Sequence, residues 1–593
     1  MESEKRIDPD DGVAYAWEDV LAFYRPQYSK KSIQAYWDNS CVPVKPGRKA
    51  SHEKPKAKTK LKAVPTEVRL EASQGELCTA TEGEALVQTM AQRDLDWRIG
   101  PVVYQVFVDR FAPSANVDAK KELYPSPCTL QAWSDLPQGG VHNPQTNYYT
   151  HELAFWGGDL PSLLSKADYI KDLGIDVLYL QPIAEAFSNH KYDTTDYVKV
   201  DAQYGTLDDF KKLADTVHGL GMKLVLDGVF NHIGSRSPHF QEAINDQQSG
   251  KRDWFFLGDE HTHGYKIWGC APSLVELRLE SAGIQEYLWK AKDSVVATWL
   301  SRGADGWRLD VASEIGFEIL ASLTRSAHGH KRDSLVVGEV WAYPPRWTSA
   351  LDGVLSLHLG VLIYGLTEGT CPGPTAAQSI ARMIEDSSIE EVLRSWIVLS
   401  NHDMPRLATR LPELKLRRFA QVLQFTWPGA PLIYYGDELG LPGGDDPHNR
   451  AAMPWHAAME ENEMLEHTRK LVALRKRLRA LRIGNFRALA SHRLMAFVRT
   501  TDRVMDVVAV LANPTDEAVK EMVVVPVPAI LGHTLFRDEL SGDELRALGS
   551  TLTIEVPPKS VRLFTMVDES GNPSGDQYKR IYGHSASFSH IKP

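Results

Sequence analysis

Gly303-Ala304-Asp305-Gly306-Trp307-Arg308-Leu309-Asp310-Val311-Ala312-Ser313-Glu314 reads as a helix end, a tight glycine turn and a short strand. The strand delivers Arg308 and Asp310 two residues apart, and a period of two puts both side chains on one face. A carboxylate beside a guanidinium is expected to stay ionised, because the opposite charge favours its anionic form. An Arg-x-Asp pair of this kind serves equally as a structural ion pair, so its neighbours decide what it means.

Outward from this strand, apolar runs alternate with amphipathic helical stretches. The runs are Val102–Phe107, Val177–Leu180, Lys223–Asp227, the Asp310 strand, Leu335–Glu339, Gly353–Leu359, Ser395–Leu399 and Pro431–Tyr435. Helices are expected at Leu163–Leu173, Leu207–Leu220, Ile284–Ser301, Ile315–Ala327 and Leu465–Leu481. Continuous apolar strands separated by helices mean parallel strands buried on both faces. The fold class is therefore α/β: eight strands fit a (β/α)8 TIM barrel over residues 98–480, with an insertion after strand three at 232–282. Runs around 496–499, 504–511, 522–525 and 561–564 predict a C-terminal antiparallel β-sandwich domain over 481–567. Residues 1–97 are expected to be a partly disordered N-terminal extension, with short helices at Trp17–Tyr24 and Ser29–Trp37 and a basic linker from Lys45 to Lys62. Residues 568–593 are expected to be a disordered tail.

The chain of 593 residues is 43% hydrophobic and 24% charged, as in a soluble globular protein. A net charge of -11 argues against nucleic acid or an anionic membrane as the main partner. No run of eighteen apolar residues occurs, and the charged start Met1-Glu2-Ser3-Glu4-Lys5-Arg6 lacks the apolar core of a secretory signal. Cys41, Cys78, Cys128, Cys270 and Cys371 are scattered, without CxxC spacing. Free thiols in a reducing cytoplasm are the expectation.

Chemistry in such a barrel sits at the C-terminal ends of the strands. Strand three ends Asp227-Gly228-Val229-Phe230-Asn231-His232, and strand four carries Arg308 and Asp310. Strand five ends Val337-Gly338-Glu339-Val340-Trp341, and strand seven ends Leu399-Ser400-Asn401-His402-Asp403. Glycoside cleavage with retention needs a nucleophilic carboxylate and a carboxylic acid about 5–5.5 Å apart. Neighbouring strands lie about 4.8 Å apart, so Asp310 and Glu339 fall in that range. Glu339, between apolar Val336-Val337 and Trp341, is expected in a drier setting that raises its pKa toward an acid's role.

These blocks, in this order, resemble the signature regions of the α-amylase superfamily, glycoside hydrolase family 13. The resemblance extends to Phe155-Trp156-Gly157-Gly158-Asp159-Leu160, His190-Lys191-Tyr192-Asp193-Thr194-Thr195-Asp196-Tyr197 and Tyr434-Tyr435-Gly436-Asp437-Glu438. The Gly-Trp-Arg-Leu-Asp-Val block, the His190 block and Gly443-Gly444-Asp445-Asp446-Pro447 with Asn449-Arg450 most resemble the neopullulanase and cyclomaltodextrinase branch. The resemblance implies Asp310 as nucleophile, Glu339 as general acid/base and Asp403 as the residue that holds sugar hydroxyls and helps distort the ring. It further implies that Arg308 orients Asp310, that Asp227 braces Arg308, and that His232 and His402 hydrogen-bond the same sugar while Tyr192 stacks on it. Trp156, Trp268 and Trp341 stay open between core and sugar platform.

The implied activity is retaining hydrolysis of α-1,4 bonds, with α-1,6 bonds as a second candidate, in maltooligosaccharides or related glucans. A transferase of the same mechanism and a non-catalytic sugar-binding barrel are the alternatives. The branch carries a β-rich N-terminal module, which residues 1–97 do not read as. The family's calcium site has an Asn matched by Asn231, but Glu314 stands where its His would be. Ala112-Pro113-Ser114-Ala115-Asn116 also replaces its Asp-rich loop. No metal and no cofactor are expected, and His261 and His263 read as polar surface.

Overall fold

The computed structural model describes Lys5–Ile7, Ala14–Trp17, Leu21, Trp37, Val42–Pro43 and Ala80–Val567 except Leu531. The expected linker and C-terminal tail, and most of the two short N-terminal helices, lie outside these residues. The chain divides into two compact units, Met1–Glu76 and Leu77–Pro593. In the first, Lys5–Ile7 pairs antiparallel with Ala14–Ala16 and with Val42–Pro43. The Trp17 and Trp37 rings meet edge to face at 5.6 Å.

In the second unit eight parallel strands close on themselves. They are β1 (Val103–Val106), β2 (Val177–Leu180), β3 (Lys223–Gly228), β4 (Gly306–Leu309), β5 (Leu335–Val340), β6 (Gly353–Ser356), β7 (Trp396–Val398) and β8 (Ala430–Tyr434). Closure runs through Leu432 of β8 opposite Val103 of β1. The side-chain period of two sorts each strand between two cores. Val103, Val177, Tyr179, Val225, Leu335, Val337 and Trp396 fill the inside of the barrel. Their neighbours Leu178, Leu180, Leu224, Leu226, Trp307, Leu309 and Val336 pack outward among the helices.

That parity fixes the site. Asp227 follows Val225 inward, Arg308 lies between outward Trp307 and Leu309 with Asp310 in phase, and Glu339 follows Val337. Gly338 takes the outward position between Val337 and Glu339, where a Cβ would come within 2.5 Å of Leu351 and 2.8 Å of Ala312.

Three expected elements are reshaped. The helix expected at Ile284–Ser301 is broken into Ala282–Gln285, a wide turn at Glu286–Lys290, and Val295–Ser301. Ser294 caps the last piece by accepting from the Ala297 amide, which outcompetes a continuous helix. The strand expected at Gly353–Leu359 ends at Ser356, and Leu357–Glu368 is helical. An apolar run does not distinguish a buried strand from a buried helix start. The helix expected at Leu163–Leu173 is two pieces, Leu160–Leu164 and Ala167–Asp172.

Before the barrel, Ala80–Leu95 forms a helix. Its Arg93 donates to the Ile483 carbonyl and Asn485 Oδ1, both at 2.8 Å, and pairs with Glu390. After β3, His232–Gly234 and Leu274–Glu276 form a hairpin whose connection holds the helix Pro238–Asn245. At the C-terminus a six-stranded antiparallel sheet faces the pair Val519–Val524 and Thr551–Val556, burying Val498, Leu511, Val523, Leu552 and Phe564 between them. Strands at Leu535–Asp538 and Thr551–Val556 were absent from the sequence expectation.

Candidate active site

Asp227, Arg308, Asp310 and Glu339 meet inside the C-terminal mouth of the barrel. Arg308 is fully buried. Its Nη1 donates to both oxygens of Asp227, at 2.8 and 3.1 Å, and to Asp310 Oδ1 at 2.8 Å. Its Nη2 lies 2.9 Å from Glu339 Oε2. A guanidinium is a flat fork of five donors, so one side chain sets the spacing of three carboxylates. Tyr179 from β2 and Tyr192 donate their hydroxyls to Asp227 at 2.6 and 2.9 Å.

The expected contrast between a charged Asp310 and a drier Glu339 is not what the burial shows, since both are 7% exposed. Arg308 is not Asp310's alone: it is shared with Asp227 and Glu339. Burial, together with the carboxylates of Glu339, Asp227 and Asp403, outweighs Arg308 and holds the Asp310 carboxyl well above the usual carboxylate range. Burial likewise raises Asp227 against the pull of Arg308 and of the Tyr179 and Tyr192 hydroxyls. Arg308 alone therefore does not set the charge of Asp310, because the fold shares that guanidinium among three carboxylates.

Glu339 Oε2 also accepts from the Val311 amide at 3.1 Å, and Oε1 accepts from Trp341 Nε1 at 3.2 Å. Val311 itself is left-handed at φ 47°, a rare conformation for a β-branched residue.

Two histidines line the pocket in neutral form. His232 is buried, and its Nε2 lies 4.0 Å from Asp310 Oδ2. Neither ring nitrogen has a hydrogen-bond partner among the described residues. Burial pushes its pKa down to about 3, so both nitrogens are available to a neutral polar ligand. His402 Nδ1 accepts from the Gln105 amide at 3.1 Å, which leaves the proton on Nε2, 2.7 Å from the Tyr192 oxygen and 3.2 Å from Asp403 Oδ2. Burial, with Arg450 and Arg308 nearby, pushes its pKa well down. Tyr192 lies parallel to His402 at 5.3 Å and is flanked by His190 at 5.8 Å. Asp403 stands at the mouth with its side chain 38% exposed, 3.4 Å from Arg450.

All eight residues singled out in the sequence thus come together. Tyr179 and Gln105 belong to the same cluster and were not singled out; Arg450, quoted only as part of a motif, and Trp268 and Trp341, left open between core and platform, lie there too. Gln105 had a signal, a lone amide inside the apolar run of β1; Tyr179 had none. Trp268 stacks on His232 at 5.1 Å and donates Nε1 to Glu314 at 3.0 Å. Trp341 is 60% exposed beside Glu339. Trp156 is a core residue: it is buried under the Arg110 guanidinium, 3.8 Å above its ring.

The calcium site implied by the resemblance does not fit these residues. The Glu314 carboxylate is taken by Trp268, and the Asn231 side chain is buried. Among the described residues no group of three or more His, Cys, Asp or Glu is placed to hold a metal. His261 pairs loosely with Glu260 at 3.7 Å. Cys128, Cys270 and Cys371 are unpaired, and among the described residues no helix is long and apolar enough to cross a membrane.

Residues 105–480 match the alpha amylase catalytic domain. Neopullulanase 2 of Thermoactinomyces vulgaris is 32% identical over 479 residues, 78% of this chain and 77% of that protein. The cyclomaltodextrinase of Geobacillus thermopakistaniensis is 30% identical over 79% of this chain and 78% of its own. Among solved structures, the cyclic α-maltosyl-(1→6)-maltose hydrolase of Arthrobacter globiformis, in complex with that saccharide, superposes with a TM-score of 0.67 at 27% identity, covering 79% of this chain and 99% of that one.

Proposed function

The chain belongs to the α-amylase family of glycoside hydrolases, and from that premise we propose that it cleaves α-1,4-glucosidic bonds, and α-1,6 bonds as well, of maltooligosaccharides and related glucans with retention of configuration. The observation that carries this reading is the shared Arg308, whose two terminal nitrogens hold Asp310 and Glu339 side by side. Adjacent strand tips space them as a retaining pair requires.

Asp310 Oδ1 is held by Arg308, which leaves Oδ2 to attack the anomeric carbon. The glycosidic bond breaks, its electron pair goes to the leaving oxygen, and Glu339 gives that oxygen a proton. Oε2 of Glu339 accepts from the Val311 amide and lies against Arg308 Nη2, so Oε1 is the oxygen that delivers the proton. Glu339 then takes a proton from water as the water displaces Asp310 and frees the sugar.

Neutral His232 and His402 hydrogen-bond the hydroxyls of the reacting sugar, Asp403 holds them from the mouth and helps distort the ring, and Tyr192 gives that sugar its aromatic wall. Asp227 braces Arg308. A cytoplasmic location goes with this reading, supported by the unpaired cysteines.

Incubation with maltotriose, pullulan and β-cyclodextrin, followed by proton NMR of the first products, tests the proposal. First-formed α-anomers from at least one of them support it. First-formed β-anomers, or no cleavage of any, contradict it. Products longer than the substrate report transfer to sugar in place of water.

A further inference from the structure

Directly before Tyr192 lies a fully buried cation that the chemistry above does not use. The Lys191 side chain has no exposed surface. Its Nζ lies 2.7 Å from Asp201 Oδ2, donates to Gln203 Oε1 at 2.5 Å, and sits between the Phe155 and Tyr204 rings at 5.3 and 5.2 Å. The partners are themselves tied down. Asp201 accepts from the amides of Ala186 and Gln203, and Gln203 donates to the Leu123 carbonyl. A buried ammonium is costly unless paired and hydrogen-bonded, and this one is both.

The Lys191 backbone is left-handed at φ 65°. A long side chain rarely adopts that conformation, and it persists only where the surroundings enforce it. Its consequence is geometric. The reversal at Lys191 brings the rings of His190 and Tyr192 together and lets the Tyr192 amide donate to His190 Nδ1 at 3.1 Å. Tyr192 then reaches Asp227 and His402 with its hydroxyl.

We propose that Lys191 is a positioning residue for the reaction: its anchored ammonium holds the chain in the left-handed turn that aims Tyr192 at Asp227 and His402. The inference rests on the hydrolase reading for its kinetic arm only. A side chain that merely filled the core would affect melting but not the aim of Tyr192.

Lys191→Met keeps the length and removes the charge. Its crystal structure, which needs no substrate, is expected to show the Tyr192 hydroxyl withdrawn from Asp227 and His402; both contacts retained would overturn the inference whatever the enzyme cleaves. In turnover of maltotriose, kcat is expected to fall at least about tenfold, the scale of lost supporting contacts. The double variant with Tyr192→Phe should be no slower than the slower single variant, because both changes act through one hydroxyl. Multiplying losses, or an unchanged kcat, would overturn it. Should Lys191→Met fail to fold, Asp201→Asn, which keeps the ammonium and removes its counter-charge, decides on the same two readouts.

Discussion

The backbone amide of Val311 lies 3.1 Å from Oε2 of Glu339. The residue that follows one carboxylate of the pair therefore holds the other, and it does so from a left-handed backbone. Glycine adopts that conformation without a steric penalty. Val311→Gly should keep the amide in place and retain kcat within about threefold, since strain at such positions is worth about 1–3 kcal/mol and is relieved, not added. Val311→Pro removes the N–H and cannot take a positive φ, so its activity should collapse. Equal activity in both variants would show that the amide is immaterial.

Glu339→Gln should lower turnover by about 10²–10⁴-fold, the range for loss of a general acid and base. For substrates whose leaving group needs no protonation, such as a glycosyl fluoride, the first step should be largely spared. Steady-state and single-turnover rates on the two substrate types check this; an equal loss in both would assign Glu339 a different part.

Asp310→Asn should abolish turnover and yet raise stability. Asp310 holds its proton to higher pH in the folded chain than its unfolded value of about 4. The folded state then binds more protons above that pH, so stability from this group is complete below about 4 and is lost as pH rises. Calorimetry should find Asp310→Asn melting above the parent at pH 7, with the gap closing toward pH 4. A variant that melts lower at pH 7 would refute this electrostatic picture.

Arg308→Met leaves Asp227, Asp310 and Glu339 buried without their shared counter-charge. Breaking a buried pair in this way costs about 3–5 kcal/mol. Urea denaturation should show that loss at pH 7, and a smaller one in acid, where the carboxyls protonate. Arg308→Lys keeps a charge but not the fork, so it should regain stability without regaining activity.

The barrel could be read from the sequence because its strands are buried on both faces and their apolar runs are nearly continuous. The shared face of Arg308 and Asp310 followed from the period of two alone, and Asp227 and Glu339 were legible only as polar residues at strand ends. The placement of Tyr179 and Gln105 beneath them was not legible, since that depends on which neighbouring strands lie in register. The sharing of Arg308 with β3 and β5 was not legible either, because the carboxylate nearest to it in sequence is Asp310. The break at Ser294 was legible only as a capping residue, and helical periodicity on both sides of it masked the signal. Trp268 became part of the site through the long excursion after β3, whose path no local pattern specifies.

Trp268→Ala tests that excursion. Its ring stacks on His232 and its Nε1 is fixed by Glu314. Stacking of this kind is worth about 1 kcal/mol, so KM for maltotriose should rise about fivefold with little change in kcat. An unchanged KM would make the contact a packing detail.

The most direct measurement is covalent trapping. Glu339→Gln, incubated with α-maltosyl fluoride, should gain the mass of one maltosyl unit, and peptide mapping should place it on Asp310. An adduct on any other residue, or rapid release of sugar with no adduct at any time, would contradict the claim that Asp310 attacks while Glu339 handles the proton.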